Sequence, residues 1–328
     1  MTTEYTSEEL HQLHEAYFQE LTAGDYLHKP LQFDEFLGAF VESSGTLAKA
    51  FFADIKHSSF LAGVRDLRNN KIYITFIYVP EKHRRQGVAS KLLDRFEQFL
   101  AAHSNSSEFS NEIELSFLNP VNLTWYIPET NKHDHPNAPG VDIGSAAYYF
   151  FQNRGFRNFA YQNSYHVNLE AYEIPDKIKQ LESKLSSEGV SIEIYDKHSM
   201  DGLEELLIDL DSELWTQELM AETSDAGKNR PIIVPVYENK IYGFTGPLDV
   251  QESGRGYFAG IAVHSAFRGR GIAKVLFSYL CSELQGIGAE YMTLFTGDNN
   301  PARNIYEASG FKLVNSWADM RKTWRKSR

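Results

Sequence analysis

Cysteine is almost missing from this chain of 328 residues: Cys281 stands alone, so no intrachain disulfide is available to replace a core. Positive charge is also in deficit. Lys and Arg number 32 against 44 Asp and Glu, a formal net charge of −12. That balance excludes the bulk attraction to phosphate backbones or anionic lipid on which nucleic-acid and membrane-surface proteins depend. No apolar run approaches the roughly 18 residues of a membrane span, and the opening MTTEYTSEEL has neither the basic nor the apolar region of a secretion signal. The expected compartment is therefore the cytoplasm. What is present is an ordinary globular balance, 42% hydrophobic and 23% charged, over a length that suits about two domains. Cys281 falls in the helical apolar pattern of Val275, Leu276, Tyr279 and Leu280, which predicts a buried structural thiol.

The sequence repeats itself once. The β-branched and aromatic run IYITFIYV, Ile72 to Val79, precedes EKHRRQGVASKLLDRFEQFL, and YFAGIAV, Tyr257 to Val263, precedes HSAFRGRGIAKVLFSYLCSEL. One constant offset carries Val79 onto Val263, Arg84 onto Arg268, Gly87 onto Gly271 and Ala89 onto Ala273. Each copy predicts a strand, a tight Arg/Gly-rich turn and an amphipathic helix. Farther on, Asn153-Arg154-Gly155-Phe156 answers Ala308-Ser309-Gly310-Phe311, each Gly closing a short helical pattern.

The first copy carries an insertion over about Pro120 to Gly144, rich in Pro, Asn and aromatic residues and without helix or strand period, as in lids and binding loops. Its Trp125 and Tyr126 either cap a pocket or pack on a sheet face. From Pro175, the apolar Ile178, Leu181 and Leu185 with Gly189 beyond them predict a helical linker. The expected organisation is thus a domain over 1–172, a linker over 173–189 and a domain over 190–328. The second domain reads as strands 190–196, 231–238, 240–246, 256–263 and 290–296, a last strand near 311–320, and helices 202–220, 271–285 and 300–308. This order predicts a mixed α/β sheet.

A strand that enters an Arg/Gly turn and then a helix has a physical use. Glycine lets backbone approach a ligand, and the N–H groups at a helix N-terminus, with flanking arginines, suit a pyrophosphate. The pattern Arg-x-x-Gly-x-Ala after a strand, present twice, resembles the acetyl-CoA-binding motif of the GCN5-related N-acetyltransferases (GNAT). Asn299-x-x-Ala302-x-x-Ile305-Tyr306-x-x-x-Gly310-Phe311 resembles that family's second motif, and the tandem arrangement resembles mycothiol synthase.

The resemblance implies two tandem α/β domains, each a splayed, mostly antiparallel sheet flanked by helices, with acetyl-CoA as co-substrate and no metal. It puts the pantetheine arm against the backbone of Ile261, Ala262 and Val263, and in the first copy of Val79. The pyrophosphate falls to Arg268, Gly269, Arg270, Gly271, Ile272 and Ala273, and in the first copy to Arg84, Arg85, Gln86, Gly87, Val88 and Ala89. Asn299 and Asn304 lie beside the cofactor, and Tyr306 takes the general-acid position. The implied reaction is direct transfer of acetyl to a primary amine, and the acidic balance favours a small, cationic acceptor; a catalytically silent CoA-binding protein and a peptide N-acetyltransferase are the alternatives.

The first copy departs from this pattern, because Phe151 stands where Tyr306 stands in the second, Tyr149 for Asn304 and Gly144 for Asn299. Transfer is accordingly expected in the C-terminal domain; the N-terminal copy either binds CoA or has lost that function, and Tyr148 or Tyr149 is the available substitute phenol. No base is assigned: Glu252 and Asp249 are near only in sequence. His133-Asp134-His135 lacks the spacing of a third metal ligand and predicts a solvated loop, and the basic end Arg321–Arg328 predicts a frayed tail.

Overall fold

The computed structural model describes residues 5–103, 110–224 and 227–324. The chain divides into two units: the first takes the residues up to Gln162 and those from Asn315 onward, the second Asn163–Val314.

In the first unit a capping box opens helix α1 (Ser7–Ala23). Thr6 Oγ1 accepts from the Glu9 amide at 3.2 Å, while Glu9 Oε2 accepts from the Thr6 amide at 2.8 Å. Leu13, Tyr17 and Leu21, on one face, pack with Phe40, Phe60 and Tyr78 and with Phe36 of the short helix α2 (Phe33–Phe36). Strands β1 (Leu47–Asp54), β2 (Ser59–Asp66) and β3 (Lys71–Tyr78) form an antiparallel meander. Helix α3 (Val88–His103) buries Val88, Leu92, Leu93, Phe96 and Leu100, and β4 (Glu112–Leu115) then returns parallel to β3. The insertion is ordered by the two-residue strands β5 (Trp125–Tyr126), β6 (Asp134–His135) and β7 (Val141–Asp142); α4 (Ala146–Asn153) and β8 (Arg157–Asn168) follow.

The second unit continues with α5 (Asp176–Ser187), β9 (Ser191–Ile194), α6 (Leu203–Leu210), α7 (Glu213–Thr223), β10 (Ile233–Tyr237), β11 (Lys240–Ile241), β12 (Gly243–Gly246) and β13 (Gly260–Val263). Then come α8 (Ile272–Gly286), β14 (Tyr291–Gly297), α9 (Arg303–Ala308) and β15 (Lys312–Thr323). Strands β11, β10, β12 and β13 are neighbours in that order, with β9 on β10. The sequence predicts one helix over 202–220; two form. Asp211 adopts a left-handed φ of 45°, and Ser212 caps α7 by accepting from the Trp215 amide. The segment expected to be a linker is helical, as α5, but it packs: Ile178 and Leu185 are buried with Ile272 and Val275 of α8.

The last strand, expected to complete the second domain, lies from Asn315 onward in the first. There it runs antiparallel to β4, with Met320 opposite Leu115, and pairs β7, with Trp317 opposite Asp142. Trp317, Ala318 and Met320 are fully buried. The basic end is strand rather than frayed tail through Thr323, Arg321 facing Glu112 and Lys322 facing Glu97; residues 325–328 lie outside the described residues.

Asp319 is buried in the same strand, where it accepts from the Phe117 amide at 3.1 Å and from Gln162 Nε2 at 2.8 Å. Burial pushes its carboxyl from 3.8 up to about 6 against these two hydrogen bonds. A carboxyl whose folded pKa is raised gives its full stability below the unfolded value and loses it as pH rises through the folded one. Asp319→Asn is therefore expected to remove a fall in Tm between about pH 4 and 6.5. Thermal unfolding of wild type and variant across that range checks this, and parallel profiles would acquit Asp319.

Candidate active site

In the first unit β3 and β4 are paired only at Ile72–Ile113 and Tyr73–Glu114. Just beyond, the register with β2 shifts between Ala62 and Gly63, so that Thr75 is an extra residue on β3. A bulge bends its strand, and the rest of β3 leaves β4, which stops at Leu115. The opening is a cavity of about 710 Å³ lined by Ile74 to Val79 on one strand, Leu115, Ser116 and Asn119 beyond the other, and the turn after β3. Asn119 Nδ2 lies 3.4 Å from Ile74 O and 3.3 Å from Thr75 Oγ1, tying the loop after β4 to the bulge. The insertion supplies Val121, Leu123, Ala138 and Val141, whereas Trp125, left open between pocket and core, is core: it is fully buried, 4.9 Å from Trp317.

The turns after β3 and β13 share a clamp that sequence reading missed. Arg84 Nε donates to Val79 O at 3.0 Å, and Arg268 Nε to Val263 O at 2.9 Å. An upstream carboxylate closes each turn. Glu20 accepts from the Glu81 amide at 3.1 Å and from Arg84 Nη2 at 3.0 Å, while Asp209 accepts from the Ser265 amide at 2.7 Å with Arg268 Nη2 at 4.0 Å. Arg84 and Arg268, expected to hold pyrophosphate, each use Nε to close the turn. Its left-handed residues are Arg85 and Gly87 in one copy and Gly269 and Gly271 in the other.

The two copies differ in what stands over this turn. A Cβ at Gly87 would meet nothing within 4 Å, but one at Gly271 would lie 2.7 Å from Leu181 Cδ2 of α5. Arg85 is exposed, makes no ion pair among the described residues and lines the cavity beside Gly87, Val88 and Ala89. Gln86 is turned away, its Nε2 donating to Lys82 O at 3.0 Å. Arg270 is paired with Glu188 at 2.5 Å. Along β13, Ile261 and Ala262 are half-buried and Val263 is buried, and Trp215 stands so close behind Gly260 that a Cβ there would come within 2.0 Å of its ring. Ile272 is buried and Ala273 half-buried at the start of α8. The resemblance points to the C-terminal copy for the donor; the large cavity opens in the N-terminal one, because α5 already covers the second turn.

Tyr306 lies in an aromatic cluster, 5.0 Å from Phe277 and 6.3 Å from Phe258. Its hydroxyl has no hydrogen bond among the described residues, and burial pushes its pKa up to about 12. Asn299 and Asn304 are exposed and engaged locally, the Asn299 amide with Asp298 and Asn304 Nδ2 with Pro301 O. Tyr148 is held by Gln152 and Asn158, and Tyr149 is largely exposed; the cavity is lined instead by Phe150 and Phe151. Asp249 is bound to Arg230 at 2.6 Å. His133-Asp134-His135 is not a solvated loop: Asp134 and His135 form β6 and are buried, Asp134 on Lys29 at 2.9 Å. Among the described residues no three metal-binding side chains gather, and no helix is long and apolar enough to cross a membrane. Cys281 is fully buried and its thiol is pushed upward by burial.

His28 was not singled out by the sequence, where nothing marks it in the connection after α1. The insertion holds the backbone on both sides of it, Lys29 N donating to Thr124 O at 2.9 Å and Tyr126 N to Leu27 O at 2.7 Å. Its ring meets Phe76 edge-on at 5.1 Å and lines the cavity. Nδ1 is buried without a hydrogen-bond partner, and burial lowers the imidazole to about 4, so the ring is neutral at pH 7.

The acetyltransferase (GNAT) family model matches residues 8–118 and again 200–311, more than half of the chain. Among solved structures the chain is similar to a GCN5-related glucosamine N-acetyltransferase region of a fungal multi-domain β-N-acetylglucosaminidase, with 17% identity and a TM-score of 0.61. That match covers 98% of this chain and 38% of the fungal one, so this chain spans under half the length of that neighbour. A GCN5-related N-acetyltransferase from Sphaerobacter thermophilus matches at 15% identity and a TM-score of 0.54, over 97% of this chain and 93% of its own. A tandem GNAT protein from the clavulanic acid biosynthesis pathway matches at 12% and 0.53, over 98% and 96%. Among curated proteins there is no match. At these identities the structural likenesses carry the fold and not the substrate. With the family's pattern met in both halves and the splayed sheet seen in the first, this chain belongs to the GNAT acetyltransferase family, as two tandem domains.

Proposed function

We propose that the protein transfers an acetyl group from acetyl-CoA directly to the primary amine of a small acceptor, and that the cavity of the first unit holds the donor. One observation carries this reading: the cavity of about 710 Å³ joins the splayed edge of β3 to a glycine turn that faces open space at Gly87. The volume lies within the roughly 300–1,000 Å³ of small-molecule sites. The chain's own groups suit the donor's parts. The first N–H groups of α3 have no intrahelical partner and, with Arg85, suit a pyrophosphate. The edge of β3 past Tyr73, unpaired with β4, offers backbone groups to the pantetheine amides. A backbone N–H there also suits the oxygen of a thioester carbonyl as negative charge develops on it. The net charge of −12 favours a cationic acceptor.

A second reading, transfer in the C-terminal unit, is supported by the unengaged hydroxyl of Tyr306. The two are separable. Calorimetric titration of acetyl-CoA is expected to give one site in the wild type and to lose it in Arg85→Glu, while Tyr306→Phe leaves binding and turnover within about twofold. A loss of about 10² in turnover with Tyr306→Phe, the size of general-acid help, together with intact binding in Arg85→Glu, would move the reaction to the second unit.

A further inference from the structure

We propose that His28 carries the proton of acyl transfer in the first unit's cavity, taking it from the attacking amine and returning it to the departing thiolate. This rests on the donor site proposed above. A buried polar atom ordinarily has a hydrogen-bond partner, and Nδ1 of the half-buried His28 has none among the described residues. The ring is nevertheless fixed. Backbone hydrogen bonds from the insertion bracket it at Leu27 and Lys29, and Phe76 meets it edge-on at 5.1 Å. Phe76 directly follows the bulged Thr75, so the imidazole stands beside the part of β3 that leaves β4.

The same cavity has no phenol at the position of Tyr306, and the two phenols that line it are engaged, Tyr26 on Glu20 and Tyr78 on Ala16 O. Phe151 stands at the position that Tyr306 occupies in the second copy, and it lines the cavity with Phe150. A single group that takes the proton in one step and returns it in the next needs no separate phenol. In the first step the acceptor amine, its ammonium proton already lost to solvent, uses its lone pair to form the N–C bond, and the carbonyl π pair moves onto oxygen. His28 then takes the proton from the now positive nitrogen. In the second step the oxygen pair re-forms the carbonyl, the C–S bond breaks, and the imidazolium gives its proton to the sulfur, leaving an amide and a free thiol.

The basicity of His28 suits this order. Burial holds the ring neutral, so it neither repels a cationic acceptor nor draws a proton from free alkylammonium. Once the N–C bond has formed, that nitrogen is a far stronger acid and a weak base suffices. The weak base becomes a strong acid when protonated, which favours return of the proton to sulfur.

The test uses the full chain as wild type, His28→Phe and His28→Asn. Acetyl-CoA affinity is read by calorimetry, and thiol release is followed with glucosamine, spermidine or phenethylamine, whichever the wild type turns over. The expected result is affinity within about twofold of wild type and turnover lower by about 10²–10⁴ in both variants. The Tm of His28→Phe should equal or exceed that of wild type, because an orphaned buried nitrogen is removed. Wild-type turnover in His28→Phe overturns the proposal. Restoration by asparagine, which accepts a hydrogen bond but carries no proton, reduces His28 to positioning and also overturns it. A wild type that binds no acetyl-CoA, or binds it and acetylates none of the three amines, sinks the donor-site reading and this proposal together. Unchanged variants in a binding, active protein sink this proposal alone.

Discussion

Gly87→Glu is expected to weaken acetyl-CoA binding by about 100-fold or more, close to 2.7 kcal/mol, with little loss of fold. The turn presents helix N–H groups, and a carboxylate there both fills the space and repels a pyrophosphate. Because a Cβ at Gly87 meets nothing within 4 Å, the folded-state cost is confined to its φ of 79°, on the order of 1–2 kcal/mol for a non-glycine residue. The matching change in the second copy should do the reverse. Gly271→Ala drives a methyl into Leu181 at 2.7 Å and strains a φ of 85°, so it should destabilise by about 1–3 kcal/mol and leave acetyl-CoA affinity alone. Titration and thermal melts of the two variants form a crossed pair. Equal affinity in Gly87→Glu would remove this turn from donor binding.

Truncation after Val314 should have the largest effect on folding. It withdraws Trp317, Ala318 and Met320 from a core in which each is fully buried, and leaves β4 and β7 without the strand they pair with. Trp317→Ala alone is expected to cost about 3–5 kcal/mol, the range of large-to-small core changes. The truncated chain should lose the unfolding transition of the first unit altogether while the second unit's transition persists. Retention of both transitions would show that the strand is dispensable to the first unit. The fragment 1–172, which sequence reading offers as a domain, lacks the same strand and is expected to show no cooperative unfolding transition.

What was legible in the sequence is what is written locally. The strand, glycine turn and amphipathic helix of each copy lie within about thirty residues, and their shared offset exposes the repeat. The break in the helix expected over 202–220 was also local but was overlooked, since Ser212 is an N-cap residue inside an otherwise helical pattern. The partner of β15 was not legible at all: alternation along a strand says which residues are buried, not which sheet receives them. The arginine clamps depend on Glu20 and Asp209, carboxylates far from their turns in sequence. The asymmetry between the copies rests on Leu181, read as part of a linker and found over Gly271. His28 gives no signal of its own, because its character comes from the bulge and the insertion around it.

The first unit's dependence on β15 bears on how the protein is made. A ribosome delivers the chain from its N-terminus, and domains generally fold as they emerge. Here the first unit cannot be finished in that order, since the strand that seals β4 follows the whole second unit in the chain. Until then β4 is an open edge of the kind that recruits foreign strands. At about 5–20 residues per second, the wait from the end of β4 to the arrival of β15 is on the order of ten to forty seconds. During synthesis the second unit can fold before the first is complete, and the first unit's cavity gains the Trp317 part of its wall only afterwards.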